Sequence, residues 1–359
     1  MTGAGGEGRI LVTGGAGFIG SAFVRHLLAA TPHRLLNFDK LTYAANPDAL
    51  AEAEDHPRYR FVRGDIADPA EVAAAVRDFR PTAIVNFAAE SHVDRSIDDA
   101  AEFVRTNVLG TQVLLDAARA WIASLPSAEA DTFRLLHVST DEVYGSLGPE
   151  GAFTEASPYA PNSPYAASKA SADHLVRAWH RTYGLPTMIT NCSNNYGPWQ
   201  FPEKLIPLAI VKALSGEAIP IYGKGDNVRD WLYVQDHVRA VLRVLEAGRP
   251  GRGYNVGGGA ELSNLELVRR LCALLDGLSP RPDGQSYAEQ ITFVADRPGH
   301  DWRYAIDATR MRDELGWQPA ESIDSGLERT VRWYLDHAAW WRRVRAERYG
   351  GQRLGTRTA

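Results

Sequence analysis

An α/β fold, a doubly wound parallel sheet with a smaller mixed α/β region after it, is predicted by three observations. Short apolar runs alternate with helix-period stretches through the first half of the chain. A glycine-rich turn joins the first apolar run to the first helix. From about Asn194 the alternation stops, and Pro, Gly and aromatic residues become frequent. Strands separated by helices give a parallel sheet covered on both faces. In order, the strands are expected at Arg9–Thr13, Arg34–Asp39, Tyr59–Arg63, Ala83–Ala88, Phe133–Ser139 and Thr187–Cys192. Helices are expected at Phe18–Ala30, Pro69–Arg80, about Asp98–Ser124, and Pro164–Tyr183. Residues 9–193 then form one domain and 194–345 a second region, with a soft boundary that the chain crosses more than once. Later elements are expected at Ala218–Tyr222, Asp230–Val234, Asp236–Glu246, Leu262–Leu274 and Ser325–His337.

The net charge of -5 over 359 residues argues against general affinity for nucleic acid or anionic membrane. No apolar run is long enough to span a bilayer, and the Gly-rich start has no signal-peptide core. Cys192 and Cys272 lack metal spacing and read as small buried hydrophobes of a reducing compartment. A cytoplasmic protein without a metal is expected, with loose ends at 1–8 and 350–359.

Thr13-Gly14-Gly15-Ala16-Gly17-Phe18-Ile19-Gly20 follows a strand and opens a helix. Glycines there let backbone approach a pyrophosphate, whose charge suits a helix N-terminus, so the sheet reads as Rossmann-type. The spacing of Gly14, Gly17 and Gly20 resembles the extended short-chain dehydrogenase/reductase superfamily. Asp39 closes the second strand, where a carboxylate bonds ribose hydroxyls and repels a ribose phosphate. NAD is therefore favoured over NADP, with Lys40 beside it as the residue that weakens the inference. Asp65 matches the superfamily position that touches adenine, although alone it reads equally well as a helix cap.

Tyr165 and Lys169 are four residues apart, on one face of a helix opened by Ser163-Pro164. A cation near a phenol lowers its pKa from about 10, which makes it a usable base. Thr140-Asp141-Glu142 then places two adjacent carboxylates at the carboxyl end of a strand. Two such acids cannot both ionise easily, and a water elimination needs one acid and one base. Side chains that alternate along a strand point to opposite faces, so both reach one substrate only if the strand has ended there.

The segments GGAGFIGS, DKLTYAAN, AAESHVDRSI, STDEVYG, PYAASKA, NCSNNYGP, FPEKLIPL, PIYGKGDNVRDWLYV, YNVGG and DRPGHDWRYAID run from about Arg9 to about Asp307. Together they resemble the dTDP-glucose 4,6-dehydratase family. Ala45 stands where that family usually has glycine, and Trp199 where a smaller aromatic residue or histidine is common.

The resemblance implies a redox-neutral lyase reaction on dTDP-glucose, with bound NAD and a smaller substrate-binding region after the sheet. It gives Tyr165 the C4 hydroxyl proton, Lys169 the nicotinamide ribose, Thr140 the C4 oxygen, Glu142 the C5 proton and Asp141 the C6 leaving group. It places Gly14, Gly17, Phe18, Ile19, Gly20, Asp39, Lys40, Leu41, Thr42, Asp65 and Ile66 against the cofactor. Phe87, Ala88, Ala89, Ser91, Thr106 and Asn195 complete that set, with Tyr165 and Lys169. The sugar nucleotide falls to Ser91, Thr140, Asn194, Lys204, Leu205, Pro220, Tyr222, Arg229, Asn264, Asp296, Arg297 and His300. It also implies a homodimer through a four-helix interface made by the helices near 103–122 and 164–183. Val104, Val108, Leu115, Leu175 and Trp179 are examples of apolar residues there beyond one face. Trp333–Arg345 reads either as another contact surface or as an amphipathic end helix. The alternatives are a dehydratase or 4-epimerase for another nucleotide sugar, and a non-catalytic NAD-sensing scaffold. An epimerase has no need of Asp141 and Glu142, and a scaffold no need of Thr140, Tyr165 and Lys169.

Overall fold

The computed structural model of the chain describes residues 7–352, 354 and 355. Its strands are β1 (Arg9–Thr13), β2 (Arg34–Asp39), β3 (Tyr59–Arg63), β4 (Ala83–Asn86), β5 (Arg134–Thr140) and β6 (Thr187–Cys192). They continue with β7 (Asn194–Tyr196), β8 (Ile219–Tyr222), β9 (Val228–Tyr233), β10 (Gly253–Val256), β11 (Glu261–Ser263) and β12 (Ile291–Val294). Seven of them form one parallel sheet in the order β10-β6-β5-β4-β1-β2-β3. The order reverses between β1 and β4, which opens a crevice at their carboxyl ends.

Because helices cover both faces, the central strands are apolar without alternation. Neighbouring residues of β1 enter different cores. Ile10 and Val12 pack with Phe23, Val24 and Leu27 of the Phe18–Ala30 helix and with Val238, Val241 and Leu245. Leu11 packs on the other face with Val72, Val76, Leu114, Leu115 and Val176. A second core gathers Ile206, Ile210, Leu267, Leu271, Val331, Tyr334, Trp340 and Trp341 below two small sheets, β11-β9-β7 and β12-β8. The chain crosses back as it does so: the Val234–Ala247 helix and β10 rejoin the first sheet.

Two elements differ most from expectation. The helix expected at about Asp98–Ser124 is divided into Val93–Asp98, Ala100–Phe103, a π turn at Val104–Leu109, and Gly110–Ala123. Gly110 rides on Ile66, where a Cβ would come within 2.6 Å of the isoleucine side chain. The wide turn buries Thr106 and Asn107 and leaves Val104 and Leu109 exposed. The Trp333–Arg345 stretch is internal packing: Trp340 and Trp341 of the Ala338–Glu347 helix are buried, and Trp199, Trp333, His337 and Trp340 form one aromatic cluster. Of the five apolar examples named for the dimer helices, Leu115 is fully buried in the sheet core, and Leu175 and Trp179 pack against it. Part of the ends expected to be loose, residues 1–6, 353 and 356–359, lies outside the described residues. Within them, Tyr349 is buried and Gly355 N donates to Asp98 Oδ2. Among the described residues no helix is long and apolar enough to cross a membrane.

Candidate active site

The crevice at the switch point is one long cleft. Its floor is shaped by three glycines, each for a different reason. Gly14 takes φ 69° and lies so close to Ala88 that a Cβ would meet its N at 2.5 Å. At Gly20 a Cβ would fall 2.1 Å from Gly14 O, so only glycine lets the helix start on the loop. Gly17 is the open one: a Cβ there meets nothing nearer than Gly14 O at 3.4 Å, and its free side faces the cleft. Asp39 is buried and accepts from Ala16 N and Leu41 N, both at 2.8 Å. Leu41 itself, at φ 58°, lies off the cleft wall and contributes that amide. The other residues expected at the cofactor all line the cleft.

Lys40 is paired with Asp65 at 3.0 Å and Glu102 at 3.1 Å, and Arg105 also holds Asp65 at 2.7 Å. The cation that weakened the inference from Asp39 is thus neutralised by two carboxylates. A glycine cradle, an ordered carboxylate at the end of β2 and a neutralised Lys40 fit a dinucleotide without a ribose phosphate.

Tyr165 and Lys169 stand on the Pro164–Tyr183 helix, begun by Ser163 Oγ accepting from Ala166 N. Both are buried and both line the cleft. Their electrostatics depart from expectation. Lys169 Nζ donates to Val138 O at 2.9 Å and meets His137 Nε2 at 3.3 Å. Burial, with Glu142, Cys192 and Asp141 adding, holds the Tyr165 phenol well above its usual value, against a hydrogen bond from Thr140 that favours the phenolate. Lysine does not offset these effects, because its ammonium is turned into a buried network. There His137 is kept neutral by burial and by Lys169, and Asp173 binds Ser139, Tyr159 and Asn191. Val138 O takes one of the ammonium N–H donors, and donor capacity remains for a ligand in the cleft.

Strand β5 stops at Thr140, and a 3-10 turn at Asp141–Tyr144 begins with Thr140 Oγ1 accepting from Glu142 N. Strand alternation therefore no longer separates the two acids. Glu142 lines the cleft, and Asp141 lies just behind it, 1% exposed. Both carboxyls are raised, by unequal surroundings. At Asp141 burial, Glu142 and Asp230 oppose the anion, and the carboxyl stands well above the usual range despite Arg229. At Glu142 burial is opposed by Arg297, Lys204 and Arg229. Asp141 is thus held the more strongly towards its protonated form, and Glu142, faced by three cations, the less.

Asn194, Lys204, Leu205, Ser91 and Thr140 share the cleft wall with these groups, and Asn194 Oδ1 is buried without a hydrogen-bond partner among the described residues. The remaining substrate candidates lie off that wall. Tyr222 OH and Arg297 Nη1 both donate to Asp94, at 3.0 and 2.9 Å, and His300 Nδ1 sits 2.6 Å from Asp296 Oδ1. Arg229 lies over the Tyr304 ring and donates to the carbonyls of Val228, Trp302 and Asp301. Arg297 and Arg229 act on Glu142, which joins this shelf to the cleft. Pro220 pairs with Thr292 in the β8–β12 ladder, and Asn264 N donates to Asn227 O.

Several residues escaped the sequence reading. Asp94 fastens Tyr222 and Arg297, and Asn107 Nδ2 donates to Ser168 Oγ and Glu90 O. Asp94 lies inside the AAESHVDRSI segment, which was the available signal. Nothing local marks Asp173 or His137, whose partners come from other elements. Ala45 and Cys192 also line the cleft, so the unusual alanine faces the cofactor side. Trp199 lies in the aromatic cluster of the second core.

A glycine cradle at the switch point of a doubly wound sheet, with a Tyr–Lys helix beside it, defines an extended short-chain dehydrogenase/reductase. The family model for GDP-mannose 4,6 dehydratase matches residues 11–330. The chain is 56% identical over 351 residues to a dTDP-glucose 4,6-dehydratase of Neisseria meningitidis serogroup B, covering 97% of this chain and 99% of that protein. It is 54% identical over 350 residues to dTDP-glucose 4,6-dehydratase 1 of Escherichia coli K12, covering 95% and 96%. Among solved structures, DesIV, a dTDP-glucose 4,6-dehydratase of Streptomyces venezuelae with NAD and TYD bound, superposes with a TM-score of 0.85 at 50% identity over 94% of this chain and 99% of that one. A UDP-glucose 4-epimerase of Thermus thermophilus in complex with NAD gives 0.80 at 29% identity over 92% and 99%. The chain belongs to the dTDP-glucose 4,6-dehydratase family.

Proposed function

We propose that the protein is an NAD-dependent hydro-lyase that converts dTDP-glucose to dTDP-4-keto-6-deoxyglucose and water. The sugar is oxidised at C4, loses water across C5 and C6, and is reduced at C6. The observation that carries this reading is the unequal pair, Asp141 and Glu142, set at the end of β5 beside Tyr165. An epimerase needs no acid for a leaving hydroxyl.

When bound, NAD supplies a reversible hydride acceptor, so none is consumed. Gly14, Gly17 and Gly20 would hold its pyrophosphate, Asp39 a ribose, and the free ammonium donor of Lys169 the nicotinamide ribose. Tyr165 accepts the C4 hydroxyl proton while Thr140 bonds the C4 oxygen. The C4 ketone acidifies the C5 hydrogen, which Glu142 removes as Asp141 protonates the departing C6 hydroxyl. Each acid–base contribution is worth on the order of 10²–10⁴-fold. Lys204, Arg229 and Arg297 bind the diphosphate, with Arg suited to bidentate contact. This assigns the cofactor to residues 9–193 and the nucleotide sugar mainly to 194–345, with 234–256 returning to the sheet. The free, buried Cys192 and Cys272 suit a reducing cytoplasm. The working unit is a homodimer built on the helices near 103–122 and 164–183.

The test is dTDP-glucose deuterated at C4. The expected product carries the deuterium at C6 of the same molecule, with no net NADH. Label washed out to solvent, or retained at C4, refutes the reading.

A further inference from the structure

The reaction proposed above leaves protons misplaced inside the site. Each turnover adds the C4 hydroxyl proton to Tyr165 and takes one from Asp141, whereas the proton that Glu142 removes from C5 is replaced there. Before the next sugar can react, Tyr165 must lose a proton and Asp141 must regain one. Both groups are buried, Tyr165 at 8% exposure and Asp141 at 1%, so direct exchange of either with water is restricted.

One hydroxyl touches both. Thr140 Oγ1 lies 3.3 Å from Asp141 Oδ1, to which it donates, and it stands beside the Tyr165 phenol on the cleft wall, where it favours the phenolate. Its place is fixed by the end of β5: Oγ1 accepts from Glu142 N at 3.3 Å, and the Thr140 carbonyl accepts from Asn191 Nδ2 at 3.1 Å. A single buried hydroxyl therefore stands between the phenol of the base and the carboxyl of the acid. Asp141 Oδ2 makes no hydrogen bond among the described residues, which leaves that oxygen for the leaving group.

We propose that Thr140 is the proton relay that resets the site, passing the proton gained by Tyr165 to Asp141 after each turnover. The Tyr165 O–H bond breaks as its proton joins Thr140 Oγ1, while the threonine's own proton moves to Asp141 Oδ1. Two O–H bonds break and two form, Thr140 ends unchanged, and no electron pair leaves the three residues. A half turn about the Asp141 Cβ–Cγ bond then brings the protonated oxygen to the leaving group. Burial and the nearby Glu142 and Asp230 make the Asp141 anion costly, which offsets part of the cost of taking a proton from the raised Tyr165 phenol. The inference rests on the function proposed above and adds to it a role for Thr140 distinct from holding the C4 oxygen.

The test compares wild type, Thr140→Ser and Thr140→Val by rapid quench, mixing NAD-loaded enzyme with excess dTDP-glucose. Product formation by wild type, measured first, tests the functional reading separately. A relay predicts that Thr140→Val completes close to one turnover per site and then stalls, with a steady state about 10²-fold slower than the first turnover. That slow phase should accelerate as a small buffer acid and base such as imidazole is raised, while Thr140→Ser shows neither burst nor buffer dependence. If Thr140 only orients the sugar, valine slows the first and later turnovers alike without a buffer effect, and this result overturns the proposal. A burst in Thr140→Ser, whose hydroxyl could still relay, overturns it as well.

Discussion

At Asp141 burial, Glu142 and Asp230 all act against the anion, with Arg229 and a bond from Thr140 acting for it. The folded protein therefore holds this proton more tightly than the unfolded chain does. Between the unfolded and folded pKa values the folded state binds more protons, so the contribution of Asp141 to stability falls as pH rises through that interval. Asp141→Asn keeps the shape and removes the ionisation. Its melting temperature should exceed that of wild type by about 1–3 °C at pH 8, with the gain shrinking as pH falls toward 4. A gain independent of pH would show that the carboxyl is not held as described. In catalysis the same variant should slow water loss by about 10²-fold or more while C4 oxidation, followed as transient NADH absorbance, survives. Equal loss of both steps would mean that Asp141 does not serve the leaving group. The adjacent acids were legible in the sequence and the family resemblance implied their roles, but the proton partition between them was not legible. It depends on Asp230, Arg229, Lys204 and Arg297, which only the fold brings near. The orientation of Lys169 was hidden for the same reason, since it follows His137 and Asp173.

Among elements, those with strong local signals were read closely. Phe18–Ala30 and Pro164–Tyr183 have the expected bounds, because a glycine turn opens one and a Ser-Pro cap the other. The π turn at Val104–Leu109 was not legible; Gly110, which follows it, rests on Ile66 from another segment. The Ala338–Glu347 helix gave only an ambiguous aromatic pattern, yet its position bears on the cleft. Trp340 Nε1 donates to Asn46 Oδ1 at 3.1 Å, Arg348 bonds Ala45 O, and Asn46 N bonds Ala16 O in the glycine loop at 2.7 Å. The end helix thus straps the Thr42–Ala45 wall and, through Asn46, the pyrophosphate cradle. Trp340→Phe removes one buried hydrogen bond, worth about 1 kcal/mol, and keeps most of the packing. NAD affinity, measured by titration calorimetry on stripped protein, should fall about fivefold. Unchanged affinity would limit this helix to packing in the second core.

For the molecule as a whole, the sheet and both cores close within one chain, but two adjacent helical segments keep large apolar groups in solvent. Val104 and Leu109 are exposed on the π turn, and Tyr183 is exposed at the end of the neighbouring helix. Each alone is ordinary; grouped on two adjacent helices they suit burial against a second copy. The same helices carry site residues. Phe103, next to Val104, meets the Tyr165 ring edge-on at 6.3 Å, and Thr106 lines the cofactor cleft. A partner seated on these helices would therefore brace the wall on which Tyr165 stands. Val104→Asp with Leu109→Lys should leave the fold of one chain intact, because neither side chain belongs to a core. In sedimentation velocity the wild type should run as a dimer and the double variant as a monomer. NAD retention after gel filtration should fall with it, since Thr106 and Tyr165 lose their outer support. A monomeric wild type would remove the interface from consideration. A variant that stays dimeric would move the interface to another face, away from the cofactor cleft.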